Sequence, residues 1–154
     1  MISNIDDAIG RILETLQTLN LSEDTIVAFT SDHGDFMGDH GVMLKAPMHF
    51  QGLIRVSFIL ADPRIAESTS SVNGNCGTLD IAATLLDAAN SPPYNGLQGM
   101  SLMPAAFGAG TFAGHDVLVE SETASLLFGR AHPYKLRTLL SEHWRITVSN
   151  DPDL

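Results

Sequence analysis

The chain has 154 residues, 44% of them hydrophobic, with 18 acidic side chains against 8 Lys and Arg and a formal net charge of −10. That composition suits one globular domain with a sizeable core. The acidic balance, with no basic cluster to offset it, argues against nucleic acid or an anionic membrane as a partner, and a lone cysteine, Cys76, excludes an intrachain disulfide framework and a thiolate zinc cluster.

No stretch approaches the roughly 20 apolar residues that span a bilayer. The opening MISNIDDAIG carries acids where a signal peptide needs a basic segment, so the chain as it stands is expected to carry no address. Ser3 or Asn4 can cap a helix whose first turn holds Asp6 and Asp7. Ile5, Ile9, Ile12, Leu13 and Leu16 then recur at helical spacing, predicting an amphipathic helix that ends near Asn20. A polar turn, SEDT, leads into TIVAFTS, whose unbroken apolar core reads as a strand covered on both faces. LIRVSFILA (53–61) reads as a second buried strand, followed by a Ser-rich loop. In TLDIAATLLDAAN, the spacing of Leu79, Ile81, Ala82, Leu85 and Leu86 predicts a helix.

NSPPYNGLQGMSLMPAAFGAG has too many Pro and Gly for a long regular element and is expected to connect. HDVLVES (115–121) predicts a further strand. YKLRTLL and WRITVS flank SEH as an antiparallel hairpin, with Trp144 packed on one face. The fold class is therefore α/β, turning antiparallel towards the C-terminal end, in a single domain over 1–154 without internal repeats.

The chemistry concentrates in TSDHGDFMGDHG, residues 30–41. In open α/β sheets ligands bind beyond the carboxyl ends of strands, where Asp32 and His33 fall. A carboxylate oxygen and a neutral imidazole nitrogen both ligate divalent cations, and Gly34, Gly38 and Gly41 let the backbone bend around such an ion. The run has neither EF-hand nor zinc-protease spacing, so a solvated turn and the edge of a cation site both stay open on these residues alone. Lys45, thirteen positions after Asp32, adds a cation that can bind the oxyanion of a metal-polarised ligand; a surface lysine is the plainer alternative.

The run NIDDAIGRILETLQTLNLSEDTIVAFTSDHGDFMGDHGVMLKAPMHFQGLIRV resembles the later catalytic segment of the sulfatase family, within the alkaline-phosphatase-like superfamily. GTLDIAATLLDAANSPPYNGLQGMSLMP is similar to the helix and QG-x-SL-x-P loop that follow in that family, and YKLRTLLSEHWRITV to its C-terminal strand pair. The resemblance implies a partial alkaline-phosphatase-like sheet with flanking helices. It implies Asp32 and His33 as ligands of a divalent cation, usually calcium, with manganese or magnesium as alternatives. It also implies Lys45 as the residue that contacts sulfate or phosphate oxygens, the substrate being a small-molecule sulfate ester or, in related hydrolases, a phosphonate or phosphate ester. Neither His40 nor His49 matches a catalytic histidine of the family; His40 is read as stabilising the loop. Arg55 is read as structural, and Ser57 stands where the family usually has proline, at a strand entrance.

The family's nucleophile is a formylglycine made from Cys or Ser in a C/S-x-P/A-x-R motif. No such motif occurs in these residues, and Cys76, in NCGTLD, is not the nucleophile. The chain is thus expected to be the later part of a sulfatase catalytic chain, cut at both ends and inactive alone. It is also expected to pair with copies of itself through exposed sheet edges. A catalytically silent assembly or binding module is the alternative from a different class.

Overall fold

A computed structural model describes residues 2–65, 71–108, 112–123 and 134–150. Residues 66–70 of the Ser-rich loop and the final DPDL lie outside the described residues. The chain forms two compact units, one from residues 1–32 and 56–69, the other from 33–55 and 70–154.

The first unit holds helix α1 (Ile2–Thr18), strand β1 (Val27–Thr30) and strand β2 (Phe58–Ala61). Because α1 already includes Ile2, Ser3 and Asn4 lie inside its first turn and cap nothing. The C-terminal prediction holds in substance: Asn20 takes a left-handed φ of 55°, and the Leu21 N–H donates to the Leu16 carbonyl at 2.8 Å. That 6→1 bond over a left-handed residue stops the helix, a role Asn tolerates because its short polar side chain eases the conformation. Strands β1 and β2 pair antiparallel, Val27 opposite Ala61 and Thr30 opposite Phe58. Both alternate between half-buried and exposed positions, so neither is covered on two faces as their apolar runs suggested. An uninterrupted apolar run permits burial on both faces but does not say what packs there. The expected strand over 53–61 is also shorter, because Leu53 and Ile54 belong to a one-turn helix α2 (Gln51–Ile54) and extension begins at Phe58.

In the second unit α2 is followed by α3 (Leu79–Ala88), a one-turn α4 (Met103–Ala106) inside the Pro/Gly-rich connection, and strands β3 (Val117–Thr123), β4 (Tyr134–Leu140) and β5 (Arg145–Ser149). The strands form an antiparallel sheet in the order β3-β4-β5, in agreement with the predicted hairpin. Along β4, Tyr134, Leu136 and Thr138 are buried while Lys135 and Leu139 are exposed, the period-2 signature of a sheet packed on one face. Ion pairs Glu120–Arg137 and Glu122–Lys135 line the opposite face.

Trp144 precedes β5 and is 81% exposed, so it does not pack on the hairpin as expected. Its carbonyl accepts from the Ser141 N–H at 2.8 Å, a backbone bond that closes the turn without its indole. Trp144→Ala is accordingly expected to change stability by less than about 0.5 kcal/mol in urea unfolding, as for surface positions generally. No helix among the described residues is long and apolar enough to cross a membrane.

Candidate active site

Thr30 ends β1, and Ser31 and Asp32 follow it within the first unit. Asp32 is exposed, and Ser31 Oγ approaches its Oδ1 at 3.4 Å.

His33 opens the second unit. Its Nδ1 lies 2.7 Å from the Gly34 carbonyl and its Nε2 lies 3.2 Å from Lys45 Nζ. A carbonyl only accepts and an ammonium only donates, so the network assigns the proton to Nδ1 and the lone pair to Nε2. Nδ1 donating to a carbonyl is the arrangement that holds a metal-ligating histidine in the correct tautomer. The structure therefore brings two of the sequence-chosen residues, His33 and Lys45, into contact and leaves Asp32 described with its own unit.

The loop between them is held at close quarters. The Gly34 N–H donates to the Leu53 carbonyl at 2.7 Å and the Phe36 N–H to the Leu44 carbonyl at 2.9 Å. A Cβ on Gly34 would stand 1.8 Å from the Gly52 carbonyl oxygen, so this glycine is required by backbone approach; Gly38, with φ 98°, is required by its turn. Gly34→Ala is expected to cost about 1–3 kcal/mol in unfolding free energy and to displace residues 33–36, readable as amide shift changes. His40 stacks on Phe50 at 4.0 Å between centroids, and Phe36, only 2% exposed, meets Phe50 edge-on at 6.1 Å. His40 thus braces the loop, as read from the sequence.

Two of the buried polar residues, His49 and Asp80, were not among the site residues chosen from the sequence. His49 bonds Thr138 Oγ1 through Nδ1 at 2.8 Å and Ser121 Oγ through Nε2 at 2.7 Å. Burial, with Arg145 and Arg137 nearby, holds its pKa below the ordinary histidine value. Asp80 has no exposed surface. Its Oδ2 accepts from the Gly77 N–H at 2.7 Å and lies 2.7 Å from His115 Nε2, while Oδ1 accepts from the Met100 N–H at 2.7 Å. Burial alone would raise the Asp80 pKa, but the hydrogen bonds from Met100, Gly77 and His115 outweigh it and lower the value. His115 moves upward, first through its bond to the Asp116 carbonyl; burial opposes this, and the hydrogen bond and charge of Asp80 add to the rise. A signal for both existed in the sequence: each is a polar residue inside a mostly apolar stretch, MHF and LDIAATLL.

A family model described as Sulfatase matches residues 1–91. Choline-sulfatase of Rhizobium meliloti is 33% identical over 112 residues, covering 70% of this chain and 21% of that protein. Arylsulfatase K of Gallus gallus is 34% identical over 104 residues, covering 68% of this chain and 19% of that protein. Among solved structures, the phosphonate monoester hydrolase of Agrobacterium radiobacter superposes with a TM-score of 0.81 at 25% identity, covering 96% of this chain and 31% of that one. The chain thus spans about a fifth of the length of the curated relatives it matches. With the family match extending over more than half of its residues and relatives a third identical over more than two thirds of it, the chain belongs to the sulfatase family.

Proposed function

We propose that these residues contribute to a sulfuric ester hydrolase: Asp32 and His33 as part of a divalent-cation site, and Lys45 as the cation that binds a sulfate oxygen. The observation that carries this reading is the His33–Lys45 contact. It sets a neutral imidazole, whose Nδ1 is held by the Gly34 carbonyl, beside an ammonium that donates to its Nε2, the nitrogen a cation would take over. The carboxylate oxygen suits calcium, manganese or magnesium, and the imidazole nitrogen is the less usual ligand for such hard cations; calcium is favoured by the family resemblance. The donor set fits as a part only: no group of three or more His, Cys, Asp or Glu able to hold a metal occurs among the described residues. When bound, the cation would polarise the ester oxygens. Lys45 would orient the same group by charge and donate to an oxygen that gains charge during S–O cleavage.

The 154 residues contain no C/S-x-P/A-x-R motif, so the reading assigns them a binding share of the reaction and not the nucleophile. The purified chain alone is expected to give no turnover of p-nitrophenyl sulfate. It is expected to bind calcium weakly, with Kd on the order of 1 mM or above for so few ligands. Calcium titration followed by amide shifts at Asp32 and His33 tests the metal assignment; an Asp32→Asn variant that responds like the parent would sink it.

A phosphonate or phosphate ester is the second substrate reading, favoured by the phosphonate monoester hydrolase superposition. Parallel kinetics on sulfate and phosphonate esters, in an active polypeptide that includes this chain, separate the two. Self-association through the edge strands belongs to the same proposal, and a monomeric light-scattering mass at high concentration counts against it.

A further inference from the structure

The segment 45–50 between the metal loop and α2 has neither helix nor strand, so something other than regular hydrogen bonding fixes its path. His49 is 3% exposed, and both of its ring nitrogens are engaged by hydroxyls of the sheet, Ser121 on β3 and Thr138 on β4. Thr138 is itself fully buried and shares a hydrogen bond of 2.8 Å with Thr147 Oγ1 on β5. One imidazole thereby reaches a hydroxyl chain that crosses three strands. A buried polar ring is costly unless fully bonded, and an apolar side chain could have filled the same space. The ring therefore specifies a position as well as occupying volume.

Neighbouring contacts act in the same direction. The Tyr134 hydroxyl donates to the Pro47 carbonyl, and the Met48 N–H donates to the Ala46 carbonyl at 2.7 Å. On the other side of Lys45, Leu44 sits at a left-handed φ of 64° while its carbonyl accepts from Phe36. Lys45 is thus suspended between the loop closure at Leu44 and the sheet anchors at Pro47 and His49. Its ammonium reaches His33 Nε2 from that suspension.

We propose that His49 is a positioning residue for Lys45. By tying residues 47–49 to the antiparallel sheet it holds the lysine ammonium at His33, where, on the reading given under Proposed function, a sulfate oxygen is bound. His49 does not touch that oxygen; it acts through the four-residue tether.

The test uses the 154-residue chain labelled with nitrogen-15 and reads the His33 Nε2 resonance at one fixed neutral pH. Lys45→Ala defines the displacement caused by losing the contact. His49→Leu, which removes both ring hydrogen bonds, is expected to reproduce most of that displacement. His49→Gln, which keeps one donor and one acceptor, is expected to restore most of the parent signal. A folded His49→Leu chain with the parent His33 resonance would overturn the proposal, as would a Gln variant no closer to the parent than Leu. If His49→Leu does not fold, Ser121→Ala carries the comparison, because it takes one partner from the ring at a half-buried position; displacement supports the proposal and its absence overturns it. Sodium sulfate is then titrated while the Lys45 Nζ resonance is followed. A flat Lys45 response removes the sulfate reading but leaves the His49 result standing, so the two failures are distinguishable.

Discussion

Asp80→Ala is expected to lower the unfolding free energy of the chain by about 3–5 kcal/mol, measured by urea denaturation. Asp80 joins four stretches: the Gly77 turn, the first turn of α3, the loop at Met100, and His115 just before β3. Alanine would leave the Gly77 and Met100 N–H groups without their acceptor, each costing roughly 1–3 kcal/mol where water cannot replace it. It would also strip a partner from His115, whose side chain is 28% exposed and so recovers part of its loss from solvent. The carbonyl of Asp80 survives any substitution and keeps the bond from Thr84 Oγ1, at 2.6 Å; Thr84 in turn accepts from the Leu102 N–H. The loss should therefore be confined to the carboxylate. Asp80→Asn keeps one acceptor oxygen but turns an NH2 towards donors, so it should forfeit roughly half of the alanine loss.

The same pair gives the chain a pH dependence whose sign follows from the two shifts. Asp80 is depressed below 3.8, so its contribution is present above that value and disappears as pH falls through the lower folded value. His115 is raised above 6.5, so its contribution is complete below 6.5 and disappears as pH rises through the higher folded value. Both are in force between about pH 3.8 and 6.5. His49 works the other way, since a histidine held below its ordinary value costs stability as pH falls through 6.5. Comparison with His115→Gln isolates the contribution of His115, to the Asp116 carbonyl and to Asp80 together: the urea midpoint of the parent should decline from pH 6.5 towards alkaline pH more steeply than that of the variant. Parallel curves would show that the protonated form of His115 contributes nothing beyond a neutral hydrogen bond.

Local elements were legible in the sequence where chain chemistry decides them. Helix α1 with its periodic isoleucines and leucines, helix α3 and the β4-β5 hairpin all formed close to their predicted positions, although α3 buries Asp80, Ala83, Thr84 and Ala88 and not its leucines. Asn20 and Asn90 end α1 and α3 in the same left-handed conformation, a stop signal carried by one residue type. Burial was less legible, because it depends on partners distant in sequence. β1 and β2 looked doubly covered and are half-exposed, and Trp144 looked packed and is open. The site divides likewise. Asp32, His33 and Lys45 stand out by residue type and by family resemblance. His49 and Asp80 act through Thr138, Ser121 and His115, partners 35 to 89 positions away, and no local pattern announces such pairings.

In an active polypeptide containing these residues, Lys45→Ala is expected to lower kcat/KM for p-nitrophenyl sulfate about 10²–10³-fold, the scale on which a single preorganised donor acts at a developing oxyanion. Lys45→Arg keeps the charge but replaces a compact ammonium with a planar fork, and should recover only part of the loss. A general weakening of the loop would give a similar fall, so metal affinity supplies the discriminating sign. Lys45 Nζ donates to the Nε2 lone pair of His33, the same lone pair the imidazole would offer a cation. Removing the ammonium therefore takes away a competitor and a like charge, and calcium affinity should hold or rise while turnover collapses. Asp32→Asn should show the opposite order, losing affinity for the metal first. If Lys45→Ala instead loses calcium and turnover together, the lysine is a prop of the loop and its assignment to the sulfate oxygen fails.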